Sequence, residues 1–586
     1  MPAKVSTSLV GDGAKLKLPY ENFALEPSMD NSVSWETVKA WVAECKSQHS
    51  SCQEERANLR PARQLPSRLI DVGVRDDFSD IRLCHTADLQ QDCQWMTLSH
   101  CWGPQGLSCK LLRTHEKKLQ ERVEWETLSL TFQDAVRATR NIGKAFDVRY
   151  IWIDALCIMQ DSLEPGGDWD VESRKIGAIY SWSFLTLAAC TGPDTTCGLF
   201  PERLRIGEHT CTFNVDNDGV RGGGKWTTYK PTALGAVLRS VLTTRAWVLQ
   251  ESLLSPRVLH FTPQECLWRC ASVCRSESSL PEDHAEWSNQ SYDYFGNPRI
   301  WNAPLNSESR VAEIHRSWQQ IVRKYSSSRL TFYGDKLRAI SGIAQQMKHI
   351  LNNEEQFVYG LWTGKRFYTY LLWAVQYNCE PHPHSDFPTW SWISNPSKIT
   401  FDHHGPEYYD WHADIDILLD KDSELDNNKD ALLQIQGPLY KFSMRYEHDL
   451  EPLQLANPHG IIEGYPKLDF DLENQTDTYL LLMLNPEIVT QENSFPSLGL
   501  LMQKVEGMKG RFMSIGHFGG CRRHNPDDRS LMMAFLYPED GSNANSQNID
   551  LPDKFGLIQG RMKLDALEED DYITAHNDGR YTIHLQ

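Results

Sequence analysis

Three groups of residues in this chain are of types and spacings that could do chemistry. The first is Ser99-His100-Cys101-Trp102-Gly103, which follows directly on the apolar run Trp95-Met96-Thr97-Leu98. A serine, an imidazole and a thiol in a row invite a nucleophile-and-base reading. Adjacent residues on an extended strand point to opposite faces, however, so His100 and Cys101 do not naturally meet. A structural histidine at a sheet edge is the simpler expectation. The second group is acidic. Asp154 ends the run Tyr150-Ile151-Trp152-Ile153, with Cys157, Gln160 and Asp161 just beyond, and Glu172 follows in a stretch with helical spacing. Each carboxylate has a plain structural role open to it: Glu172 as first-turn charge favoured by the helix dipole, and Asp154 as a loop tie. Gln250-Glu251, just after Trp247, could reach the same place or cap the following turn.

The third group, Cys45, His49 and Cys52, offers two thiols and an imidazole at close spacing, the donor types that zinc takes. No fourth ligand is evident nearby, so the expectation is a buried helix end with two small apolar thiols and no metal. Cys266, Cys270 and Cys274 recur every four residues, but on strands they scatter, and no metal site is expected of them either.

These groups need elements to position them. The runs at 95–98, 150–153 and 184–188 are too short for ordinary helices and read as strands buried on both faces. Between them, Phe132, Ala135, Val136, Thr139 and Ile142 mark a helix over 131–144, with Thr131 as its cap and Gly143 at its left-handed end. Trp169, Val171, Ile176, Ile179 and Tyr180 mark a less regular one over 169–180. Strand, helix, strand, helix, strand is the pattern of a parallel α/β sheet. In such sheets ligands lie beyond the carboxyl ends of the strands where their order reverses, which is where Ser99, His100 and Asp154 fall. A helix over 35–45 and two short strands at 66–72 and 81–84 precede this unit. Residues 257–261 and 265–270 make a hairpin after it.

At 586 residues the chain exceeds one core, and two or three domains are expected. The divisions read as a disordered tail (1–33), a lead-in helix and hairpin (34–94), the α/β domain (95–275), a helical region (276–400) and an antiparallel β-rich domain (401–586). The polar stretch from about 276 to 307 is a connector, and His382 and His384 read as loop residues. A net charge of −19 argues against nucleic acid as a partner. No run of about 18 apolar residues exists to span a membrane. The 15 cysteines, odd in number and without an apolar leader segment in 1–39, suggest reduced thiols and a cytoplasmic location.

The run Met96-Thr97-Leu98-Ser99-His100-Cys101-Trp102-Gly103 resembles the opening signature of the fungal heterokaryon incompatibility (HET) domain. Two further blocks match in order. Thr131-Phe132-Gln133-Asp134-Ala135 leads to Tyr150 through Asp161 and on to Trp169, Glu172-Ser173 and Ile179-Tyr180. Arg245-Ala246-Trp247-Val248-Leu249-Gln250-Glu251 is followed by Ser255-Pro256-Arg257-Val258-Leu259. Met159 is a departure from many relatives. Outside the domain, Trp41, Cys45, His49, Cys52 and Arg68-Leu69-Ile70-Asp71-Val72 are similar to the lead-in of one HET subgroup. Pro388-Thr389-Trp390-Ser391-Trp392 resembles a downstream tryptophan block. The resemblance implies a flavodoxin-like sheet akin to the TIR fold and a role in fungal non-self recognition and programmed cell death. Because some TIR domains cleave the N-glycosidic bond of NAD, it also implies NAD as a substrate, with no resident cofactor. On that analogy Glu172 is the catalytic carboxylate, with Asp154 as the second candidate. Ser99, His100, Trp102, Gly103, Gln250 and Glu251 would then line the substrate pocket. Self-association through the domain and an incompatibility partner protein are the partners implied. The alternatives are a non-catalytic signalling module and a secondary-metabolite enzyme on the same fold.

Overall fold

The computed structural model describes residues 25–53, 63–107, 109–203, 212–215, 224–227, 233–278, 307–352, 354–364, 366–375 and 387–401. Beyond these it describes 414–418, 432–444, 453–457, 460–468, 476–482, 499–524, 556–558, 564–565, 567–577 and 580–586. The expected tail over 1–24, most of the connector (279–306), and His382 and His384 lie outside the described residues. The chain divides into two compact units: 1–304 with 328–330 and 338–350, and 305–327 with 331–337 and 351–586. The helical stretch expected over 276–400 is thus shared between them.

The first unit is built on an eight-stranded sheet. Its strands in chain order are β1 (Arg68–Asp71), β2 (Arg82–His85), β3 (Trp95–Ser99), β4 (Tyr150–Trp152), β5 (Thr186–Ala189), β8 (Arg257–Phe261), β9 (Cys266–Cys270) and β10 (Cys274–Ser276). A separate hairpin, β6 (Thr212–Val215) and β7 (Gly224–Thr227), lies apart from this sheet. Across the sheet the order is β10-β9-β8-β5-β3-β4-β1-β2. The central four, β8, β5, β3 and β4, pair in parallel, and antiparallel hairpins close both edges. The lead-in hairpin is therefore part of the main sheet: β1 pairs with β4. All five residues of β3 are buried, as continuous apolar runs with covered faces require. From β3 the chain moves to one neighbour, β4, and then back across to the other, β5. The strand order reverses at β3, and right-handed crossovers in opposite directions put helices on opposite faces.

One face carries α1 (Ser32–Gln48) against α3 (Leu130–Gly143), which follows the short α2 (Glu116–Glu121). In α3 the cap residue is Ser129, not Thr131, which lies inside the first turn and is buried. Gly143 is required for a different reason from the one expected. Its φ is not positive; a Cβ there would stand 2.0 Å from the Val148 carbonyl oxygen. The left-handed residue of this turn is Asp147, with φ 56°.

The helix expected over 169–180 is two helices, α5 (Asp168–Ser173) and α6 (Ile176–Ser181), after the single turn α4 (Asp154–Cys157). Val171, counted into the apolar stripe, is 43% exposed; the stripe changes phase at the break. After α7 (Ala233–Leu238) comes α8 (Ala246–Leu254), and α6, α8 and α10 (Arg338–Ile350) pack together. A Cβ on Gly177 would lie 2.6 Å from Gly342 Cα, so two glycines permit the closest approach of α6 and α10.

In the second unit, α9 (Glu308–Tyr325) buries Trp318 edge-on to Trp362 and Phe357. Its main sheet has twelve described strands. Among the described residues all but one of its strand pairings are antiparallel, the exception being Arg511–Phe512 on the last strand, Tyr581–Leu585.

Candidate functional site

Ser99 ends β3 and is followed at once by His100, at the strand-order reversal. His100 is 3% exposed and meets Phe132 of α3 edge-on. Its neighbour Cys101 packs with Ala188, Cys190 and Val258 in a separate apolar cluster. The two side chains thus part to opposite sides, as alternation on an extended segment requires. His100 Nδ1 stands 3.8 Å from Asp154 Oδ1, and its Nε2 meets no hydrogen-bond partner. Burial holds the imidazole below its ordinary pKa; Asp154 opposes this and Arg245 adds to it. The ring is therefore neutral at physiological pH.

Asp154 stands at the carboxyl end of β4, on the first turn of α4. Its Oδ1 accepts from the Ala155 amide at 2.7 Å and its Oδ2 from Trp102 Nε1 at 3.1 Å. Trp102 is half-buried and tethered by this bond. Gly103 has φ +83°, and a Cβ there would lie 2.5 Å from Asp194 Cβ. The loops after β3 and β5 thus close on each other only because position 103 is glycine. Asp154, Trp102, His100 and Gly103 therefore form one cluster.

Arg245 and α8 bring the remaining groups against this cluster. The Arg245 guanidinium donates to the His100 carbonyl. Glu251, six residues on, sets its carboxyl beside Ser99 and the Tyr180 hydroxyl. Tyr180 also donates to the Leu98 carbonyl at 3.1 Å. Burial is the largest influence on Glu251 and pushes its pKa up to about 7; Ser99 and Arg245 act to lower it, and the Asp154 charge acts to raise it. Burial, and after it Glu251, hold the Tyr180 phenol well above its usual range. Ser99 Oγ, though adjacent, has no partner of hydrogen-bond geometry. A carboxyl poised near neutrality beside Ser99, together with the unpartnered Nε2 of His100, is an arrangement that a polar ligand completes.

Two sequence-predicted residues lie elsewhere. Gln250 is buried, its amide unpartnered, and its Oε1 faces Gly342 of α10 rather than this cluster. The carboxylate of Glu172 is fully buried and accepts from the Ser67 amide (3.1 Å), Ser67 Oγ (2.6 Å) and Lys175 Nζ (2.6 Å). It ties the start of β1 to α5 and stands apart from the Asp154–Glu251 cluster. The break after Ser173 turns Lys175 back onto Glu172. Arg245 and Tyr180 were not singled out for the site. Their signal was present in the Arg245–Glu251 and Ile179-Tyr180 blocks, but nothing local shows that α6 and α8 face one strand end.

Cys45, His49 and Cys52 depart from the expectation that they lack a fourth partner. Cys270, at the end of β9, brings its thiol among them, and one donor atom from each of the four lies within 4.8 Å of the others.

The first unit is therefore an α/β domain whose central strands are parallel, with a polar, partly unsatisfied cluster of side chains at its strand-order reversal. Residues 95–251 match the family model described as heterokaryon incompatibility protein (HET). The matched stretch opens at Trp95 and closes on Glu251, so it contains every residue of the cluster. No curated protein and no solved structure matches the chain. Among the described residues no helix is long and apolar enough to cross a membrane.

Proposed function

We propose that this chain is a heterokaryon incompatibility protein whose crevice cleaves the N-glycosidic bond of NAD, and that this depletion drives programmed death of fused fungal cells. The observation that carries the reading is the Glu251 carboxyl, held at a pKa of about 7 beside Ser99 and within the field of Asp154. The strand sequence 4-3-5-8 across the parallel part has the switch-point plan of flavodoxin-like sheets, which supports the TIR-like likeness.

Nicotinamide leaves as a neutral molecule, so the reaction asks little of an acid. The bond from ribose C1′ to the pyridinium nitrogen breaks, and its electron pair departs with nicotinamide. Positive charge develops on C1′ and the ring oxygen, and an ionised carboxylate stabilises it. Water then adds to C1′, and its proton passes to the Glu251 carboxylate, which releases it to solvent. Asp154 fixes Trp102, whose indole is the stacking surface for an aromatic base. Neutral His100, with its free Nε2, and Ser99 are hydrogen-bonding groups for ribose hydroxyls. In this reading Glu251 takes the role that the resemblance gave to Glu172.

The test is to incubate the purified full chain with NAD at several protein concentrations and follow free nicotinamide. Release by the wild type and its loss in Glu251→Gln support the reading; equal release by both refutes the assignment. Fungal cells that die equally with both forms would instead point to assembly through the domain, with itself or with a partner protein.

A further inference from the structure

The four donors at the foot of α1 form a metal site. We infer that Cys45, His49, Cys52 and Cys270 bind one structural zinc ion, which staples α1 to the edge of the sheet.

The ligand chemistry is that of zinc: three thiols and an imidazole, with no carboxylate among them. Tetrahedral zinc with ordinary Zn–S and Zn–N bonds sets its donors about 3.6–3.8 Å apart. Here His49 Nδ1 and Cys270 Sγ are 3.4 Å apart, and all four donor atoms fall within 4.8 Å of one another. Three of the four residues are buried and the histidine is half-buried. All four positions are protein ligands, as in closed structural sites rather than catalytic ones.

The surroundings make an independent case. With Nδ1 turned to the thiols, His49 presents Nε2 to Glu44 Oε1 at 3.4 Å, and Arg275 grips Glu44 at 2.7 and 2.9 Å. A carboxylate on the far nitrogen fixes tautomer and ring orientation in metal-bound histidines. The sulfurs also receive donors suited to thiolates. Arg257 Nε lies 3.2 Å from Cys45 Sγ, and the Val273 amide lies 3.4 Å from Cys270 Sγ. Three thiolates and Zn²⁺ leave one net negative charge, and the Arg257 guanidinium balances it.

The ion would join segments more than two hundred residues apart in sequence. Cys45 and His49 sit at the end of α1 and just past it, Cys52 on the next turn, and Cys270 at the end of β9. Cys52 and Arg257 also line a cleft of about 500 Å³, with Lys46, Arg63, Trp182 and Phe184. This cleft opens at the amino ends of the parallel strands, on the rim away from the Glu251 crevice. The zinc therefore sets one wall of that cleft and takes no part in the chemistry proposed for the crevice.

The experiment is metal analysis of the full chain, expressed without added metal and purified without chelator. The expected result is one equivalent of zinc per chain. It should fall to background in Cys270→Ser and be retained in Cys274→Ser, a buried thiol of the adjacent strand outside the cluster. Glu44→Gln, which leaves all four ligands in place, should weaken zinc binding about 10- to 100-fold in a chelator competition. Because Cys270→Ser can fail to fold, the wild-type chain stripped of metal and given Co²⁺ supplies a second readout. The visible bands of tetrahedral cobalt thiolate should appear and be displaced by zinc. A wild-type chain that carries no stoichiometric zinc and takes up neither ion overturns the inference. So does a folded Cys270→Ser chain that keeps its full complement.

Discussion

Replacing Glu251 by glutamine should remove activity while stabilising the first unit, and the gain should depend on pH. In the folded chain this carboxyl titrates at about 7 against an ordinary 4.5. Between those values the unfolded chain has released a proton that the folded chain keeps. The unfolded state then binds fewer protons, and stability falls as pH rises. At about 1.4 kcal/mol per unit, the full fall is about 3 kcal/mol. It is complete once the folded carboxyl has ionised above pH 7. Glutamine carries no such proton, so the advantage of Glu251→Gln over the wild type should grow by about 3 kcal/mol from pH 4 to pH 8. In a domain of this size that is roughly 5–10 °C in melting temperature. The assay is thermal unfolding of both chains across that range. A difference that stays constant with pH would mean that Glu251 does not titrate near neutrality, and its proposed role would lose its basis.

Two changes should move the pH dependence of nicotinamide release in opposite directions. Arg245→Ala removes a charge that lowers the Glu251 pKa, so the rising limb should shift to higher pH. Asp154→Asn removes one that raises it, and the limb should shift lower; rate profiles of the two variants that coincide would contradict the electrostatic picture. Glu172→Gln should leave that limb where it is but lower the unfolding free energy by about 2–3 kcal/mol, since charge-assisted bonds to Ser67 and Lys175 are weakened. Gly177→Ala should cost about 1–3 kcal/mol by driving a methyl group into Gly342. A denaturation curve that overlays the wild type would show that α6 and α10 are not in contact at that point.

The parallel strands were legible because Trp95-Met96-Thr97-Leu98 and Tyr150-Ile151-Trp152 are apolar on both faces, and only a doubly covered sheet accepts such runs. The positions of Ser99, His100 and Asp154 followed, since they sit at strand ends. The proposed acting carboxylate did not. Glu172 and Glu251 both lie on short helices close to the motif blocks. What separates them is a partner: Glu172 has Lys175 one turn away, whereas Glu251 faces strand β3 and its charge is opposed by burial. That distinction rests on how α6 and α8 pack, and periodicity does not report it. The proposed metal ligands show the same limit. Three of them lie within eight residues of sequence, but Cys270 is brought to them only when β9 takes its place between β8 and β10. Gly143 was recognised as necessary, but for its dihedral angles rather than for the carbonyl of Val148 pressed against it. The break between α5 and α6 was visible only as an irregular stripe, with Val171 on the wrong side.

The central claim is that the crevice between His100, Asp154 and Glu251 hydrolyses NAD. Its most direct test is a time course of nicotinamide and ADP-ribose formation by the purified full chain at pH 8. Stoichiometric appearance of both products, lost in Glu251→Gln and kept in Glu172→Gln, is the predicted result. No turnover by the wild type at any protein concentration, or a loss that follows Glu172 rather than Glu251, would contradict it.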